Sequence, residues 1–162
     1  IPACIDNGIP EIIAASLLSL MAIFNFIGAT GSGYLSDRVD CRVLLCVYYA
    51  LRGLSLLFLP FSFDTFYTLS LFAIFYGLDW VATVPPTVAL TADEFGRERV
   101  GLVFGWIFAA HQLGAGVAAF GAGLSETLLG TYTPAFVTAA ILGLVGSALS
   151  LRITRPVRLA VA

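Results

Sequence analysis

Between Leu17 and Leu35 the chain carries no charged side chain, and between Val100 and Glu126 the only ionisable one is His111. About 30 Å of hydrocarbon needs roughly 20 residues at about 1.5 Å each, so runs this long and apolar mark transmembrane segments. Backbone polar groups find no water in lipid, so each run must satisfy its own and is predicted helical. The composition extends this to the whole chain: 59% of the 162 residues are hydrophobic and 11% charged. The fold class expected is all-α integral membrane.

Five spans are predicted, at about residues 12–35, 43–63, 66–90, 101–124 and 134–151. Pro10 suits a first helical turn. Pro60 falls in the last turn of the second span, with Asp64 in the turn after it, and Gly130 and Pro134 bracket the turn before the fifth. The connection at 63–65 is short, so the second and third spans form an antiparallel hairpin. In the fourth span Ala110, Gly114, Ala118 and Ala122 recur every four residues, and in the fifth Ala139, Gly143 and Ser147 do the same. Stripes of small residues let helix backbones approach in lipid, which predicts a tight bundle.

All eight basic residues are arginines, and seven lie on one side of this topology: Arg38 and Arg42, Arg97 and Arg99, then Arg152, Arg155 and Arg158. The positive-inside rule makes that side cytoplasmic, with residue 1 outside and residue 162 inside. The lipid bilayer is therefore the first partner. A formal net charge of −2 gives no basis for nucleic-acid binding. Cys4, Cys41 and Cys46 have no metal-ligand spacing, and this topology puts Cys4 on the opposite side from the other two. There is no phosphate-binding loop, no HExxH and no GxSxG, so no cofactor, metal or enzyme activity is predicted. With no Met at its start and no basic leader, the chain is expected to be a fragment of a longer one.

Polar residues at membrane depth are the candidate functional ones. Counted from the cytoplasmic ends, Arg52 lies roughly 13 Å deep, and Asn25, Asp79 and His111 roughly 15–16 Å. Ionisable groups there must pair or face water. Arg52 and Asp79 stand on the two arms of the hairpin, where a salt bridge is predicted; Arg52 is either a structural ion-pair partner or a ligand for a substrate anion. Asp79 shares a helical face with Tyr76, Thr83 and Pro86 that reads as cavity-lining. His111 carries a proton or is satisfied between helices. Gln112 lies beside it. Asn25 is interhelical glue or a cavity group. Trp80 lines a pocket or packs. Pro85 and Pro86 interrupt the third span as a hinge or a static bend.

Gly33 to Arg42 reads GYLSDRVDCR. It resembles the G-x-x-x-D-R-x-G-R-R signature of the major facilitator superfamily, with Asp40 and Cys41 in place of the usual Gly and first Arg. Asp93 to Gly101, DEFGRERVG, resembles the D-x-x-G-R-x-R-x-G pattern two helices later. Ile1 to Pro10 looks like the external loop after a seventh helix, and Phe104 to Gly114 like an eleventh helix. The resemblance implies helices eight to twelve of a twelve-helix transporter, leaning to the monocarboxylate and oxalate/formate branch. Eukaryotic monocarboxylate members carry an Asp and, one turn on, an Arg on the eighth helix; Asn25 and Ala29 stand here.

The function implied is secondary active transport of a small organic solute by alternating access, as symport or antiport. The further partners implied are the missing N-terminal half and a proton or other coupling ion. A transporter-like sensor that binds without transport is the alternative. The location implied is the inner (plasma) membrane of a bacterium. In the family, helices seven, eight, ten and eleven border the cavity. That favours Asp79, His111, Gln112, Asn25, Thr83 and Trp80 as substrate or ion ligands and Arg52 as their structural partner. Gly33, predicted to allow close helix approach, Asp37, Arg38 and Arg42 would form a conformational latch with Asp93, Glu94, Arg97, Glu98 and Arg99. Within it Arg38 is expected to pair with Asp93, Glu94 or Glu98.

Overall fold

Apolar runs that must satisfy their own backbone become helices, and local polar residues set where each begins and ends. The computed structural model describes residues 2–63 and 65–154. The turn residue Asp64 and the topology arginines Arg155 and Arg158 lie outside the described residues, as does Ile1. The helices are α1 (Pro2–Asp6), α2 (Glu11–Ser36), α3 (Cys41–Phe58, continued by a 3₁₀ turn Leu59–Phe61), α4 (Phe66–Trp80), α5 (Val84–Phe95), α6 (Val100–Leu129) and α7 (Thr133–Ser150). Five segments are long and apolar enough to cross a membrane, with α4 and α5 together forming the third.

The ends have local causes. Asp40 caps α3, its Oδ1 accepting from the Arg42 N–H at 3.0 Å. Thr65 caps α4 by accepting from the Thr68 N–H at 3.3 Å, and the Thr68 hydroxyl donates to the Ser62 carbonyl at 2.8 Å, closing the hairpin turn. Gly130 ends α6 in the left-handed region at φ 67°, five residues beyond the predicted limit. The segment expected as an external loop instead contains the single turn α1, held by the Asn7 Nδ2 donating to the Ala3 carbonyl at 2.7 Å.

Two close crossings organise the bundle. Where α2 crosses α4, a Cβ on Gly28 would run into the Leu78 backbone, and one on Gly77 would sit 2.7 Å from the Met21 carbonyl oxygen. Where α3 meets α7, a Cβ on Gly53 would lie 2.9 Å from the Ala140 carbonyl oxygen, and one on Gly143 3.3 Å from the Gly53 Cα. One turn on, the Ser147 hydroxyl donates to the Cys46 carbonyl at 2.8 Å. Leu17, Leu59, Leu69 and Ala73 form a buried apolar cluster between these layers.

The stripe expected to pack α6 tightly does not do so here. Ala110, Gly114 and Ala118 are exposed, no residue of α6 is buried, and a Cβ on Gly114 would meet nothing within 4 Å. The stripe predicted on the fifth span does pack: Gly143 and Ser147 both meet α3. Gly33 is a second correction: a Cβ there would meet nothing within 4 Å, so among the described residues no helix packs against that face.

Candidate functional site

The third membrane segment is discontinuous. Helix α4 stops at Trp80, and α5 starts at Val84. The interruption falls at residues 81–83, ahead of Pro85 and Pro86 rather than at them. The two prolines occupy the first turn of α5, where a missing N–H costs nothing. They therefore start the second helix instead of kinking one continuous helix.

Broken backbone in an apolar setting needs partners. Asn25, on α2, accepts from the Val81 N–H at 3.1 Å. Two turns on, the Ser32 hydroxyl donates to the Ala82 carbonyl and is itself buried. From α3, Arg52 donates through Nη2 to the carbonyls of Asp79 and, at 2.9 Å, Trp80. Its Nε donates to Asp79 Oδ1 at 3.2 Å. A guanidinium at the carbonyl end of α4 also meets the negative end of that helix's dipole. The break is thus held from two neighbouring helices by three side chains.

Asp79 is 2% exposed, and its second oxygen, Oδ2, is buried without a hydrogen-bond partner among the described residues. This corrects the cavity-lining face: Asp79 turns toward α3, and Pro86 is buried, while Tyr76 and Thr83 do line a cavity. That cavity, of 510 Å³, lies between α3, α4, α5 and α6. Arg52 and Trp80 border it, and His111 forms its far wall beside Phe108, ring centroids 6.2 Å apart. Gln112 is exposed, and neither it nor Asn25 lines the cavity.

The structure therefore gathers Asn25, Arg52, Asp79, Trp80 and Thr83 at the break, sets His111 across the cavity and leaves Gln112 outside. Ser32 was missed, although it stands seven residues after Asn25 and hence on the same face of α2. Phe104 and Phe108 were missed too; with His111 they follow a four- and three-residue spacing that a helical face predicts.

At the arginine-bearing end, Arg38 makes no ion pair with Asp93, Glu94 or Glu98. Its guanidinium instead lies 3.6 Å from the centroid of Tyr34, one turn earlier, a cation–π contact within its own helix end. Asp37 is the C-cap residue of α2. Arg42 binds Asp40, Nη2 to Oδ2 at 2.6 Å, and donates through Nη1 to the Ile153 carbonyl at 3.0 Å. Asp93, Glu94, Arg97, Glu98 and Arg99 are exposed around the turn at Gly96 and form no ion pair among the described residues.

Five crossing-length helices, one of them broken around a buried ion pair, define a polytopic membrane protein. The chain belongs to the Major Facilitator Superfamily, whose family model matches residues 1–161. It is 31% identical over 144 residues to monocarboxylate transporter 13 of Rattus norvegicus, covering 88% of this chain and 33% of that protein. It is 29% identical to monocarboxylate transporter 12-B of Danio rerio, covering 84% and 29%, and 28% identical to monocarboxylate transporter 13 of Bos taurus, covering 88% and 34%. The chain thus spans about a third of the length of these relatives. They are animal proteins and lend the expected bacterial origin no support. No solved structure matches the chain significantly.

Proposed function

We propose that the chain is helices eight to twelve of a secondary transporter that moves a small organic acid together with a proton by alternating access. In this reading the remaining helices supply the other half, and the arginine-bearing end faces the cytoplasm. Transport, not catalysis, is the role. The charged pair that the resemblance puts on the eighth helix is absent, Asn25 and Ala29 standing there. Acid and base come instead from α4 and α3, as Asp79 and Arg52.

One observation carries this: the buried Asp79 Oδ2 has no hydrogen-bond partner among the described residues, beside an arginine that borders a cavity. A proton on Asp79 removes its charge and leaves Arg52 free to hold a solute carboxylate. Solute and proton then bind together, and neither binds well alone. The other ionisable groups near the pair are Tyr49 on α3, Tyr76 on α4 and His111 on α6. His111 stands where a proton could enter or leave.

The test uses the full-length protein in proteoliposomes. Asp79→Asn abolishes uptake driven by an inward proton gradient. Uptake unchanged in rate and pH dependence removes Asp79 from the mechanism. Ligand binding with no counterflow in the unmodified protein replaces transport by sensing.

A further inference from the structure

We propose that the cavity between α3, α4, α5 and α6 binds monocarboxylic acids that bear an aromatic ring. This deepens the transport reading and rests on it for the role of Arg52.

Two aromatic ladders face the cavity. On α4, Tyr76 and Trp80 have ring centroids 6.2 Å apart. On α6, Phe104, Phe108 and His111 follow one another at 6.3 and 6.2 Å. All five rings border the same space. Ring faces and edges prefer offset or edge-on aromatic partners, so a flat ring between the ladders finds such partners on both sides. Polar groups stand among the rings: the side chains of Tyr49, Tyr76, Thr83, Thr87 and His111 border the cavity, and among the described residues Arg52 is the one fixed cation there. The Thr87 hydroxyl is committed to the Thr83 carbonyl at 2.7 Å. Arg52 spends Nε and Nη2 on Asp79 and the broken backbone, which leaves Nη1 without a hydrogen-bond partner among the described residues and able to take a carboxylate.

Size points the same way. At about 30 Å³ per water, 510 Å³ is room for roughly seventeen waters. An acid the size of propionate fills little of that space, whereas one bearing a ring fills more of it and displaces water from beside Trp80, Phe104 and Phe108. The ligand class is thus one carboxylate at the Arg52 end and a planar apolar body between α4 and α6.

The experiment is calorimetric titration of the full-length protein in lipid nanodiscs with 3-phenylpropionate, propionate and 3-phenylpropionamide. The ring-bearing acid binds more than about tenfold tighter than propionate. The amide, which lacks the charge, binds weakly; this tests the carboxylate contact without disturbing Arg52, whose loss would unsettle the fold. Phe108→Ala, at a half-exposed position, weakens 3-phenylpropionate binding about tenfold. Phe120→Ala, on the same helix but away from the cavity, leaves it unchanged.

Equal affinity for propionate, equal affinity for the amide, or indifference to Phe108→Ala overturns the proposal. Uptake measured alongside separates the two readings. Propionate uptake with no binding of 3-phenylpropionate sinks the aromatic site and leaves transport standing. Binding of 3-phenylpropionate with no uptake of any acid leaves the site standing and sinks transport.

Discussion

Asp79 and Arg52 form a pair whose two members are unequally served: Arg52 has three acceptors, while one oxygen of Asp79 has none. Removing one partner of a buried pair costs about 3–5 kcal/mol, whereas replacing both with apolar groups is often nearly neutral. Arg52→Ala is therefore expected to destabilise strongly, the more so because the carbonyls of Asp79 and Trp80 lose their donor. Arg52→Leu with Asp79→Leu recovers the part due to the unpaired carboxylate, while the two carbonyls still lack their donor. Thermal unfolding of the two variants in one detergent checks the order. Asp40 has a simpler account. It caps α3 and also orients Arg42, so Asp40→Ala costs about 0.5–2 kcal/mol, whereas Asp40→Gly, restoring the residue of the family signature, costs only a few tenths as a cap. The departure from the signature at this position is thus a helix start.

At the scale of elements, glycines matter where a backbone crosses them, as at Gly77 and Gly143, and the repeat alone does not say which stripe is crossed. Gly77→Ala puts a methyl 2.7 Å from the Met21 carbonyl oxygen and is expected to cost about 1–3 kcal/mol, as overpacked cores do. Gly114→Ala faces open space and gains helix propensity of about 1 kcal/mol within this chain. Chemical unfolding of both variants decides it; similar losses would mean that α6 is packed after all. The apolar runs were legible in the sequence because charge cannot be hidden in lipid, and so was the Arg52–Asp79 pairing, since both residues stand at matching depth on one hairpin. The break at 81–83 was legible only through its prolines, which mark the start of α5 and not the gap itself. Its fixing by Asn25 and Ser32 depends on which face α2 turns to α4, and periodicity alone does not say that when the whole helix is apolar.

For the molecule as a whole, α6 is the outlier. It touches α5 and α7, yet none of its residues is buried, and its small-residue face has no cover among the described residues. In the proposed twelve-helix transporter that face and the cavity beside it are where the rest of the bundle and the solute meet. The same reading lets the arginine-bearing end change partners as the halves rock. In that reading Arg38 would leave Tyr34 for Asp93, Glu94 or Glu98 in another state, with Asp37 biasing the exchange. Cysteine-accessibility labelling of the full-length protein tests this: Asp37→Asn shifts the balance between inward- and outward-facing states, and an unaltered labelling pattern removes the latch.

The pairing of α3 with α7 has a mechanical consequence. The two helices touch backbone to backbone at Gly53 and Gly143, the Ser147 hydroxyl ties them again at the Cys46 carbonyl, and the Arg42 guanidinium reaches the Ile153 carbonyl in the turn after α7. A joint fixed at one point still lets its members scissor; fixed at two, it transmits torque. Helices α3 and α7 therefore act as one stiff beam. In the proposed transporter, a tilt imposed at the arginine-bearing loops would be delivered along it to Arg52, which grips the broken helix.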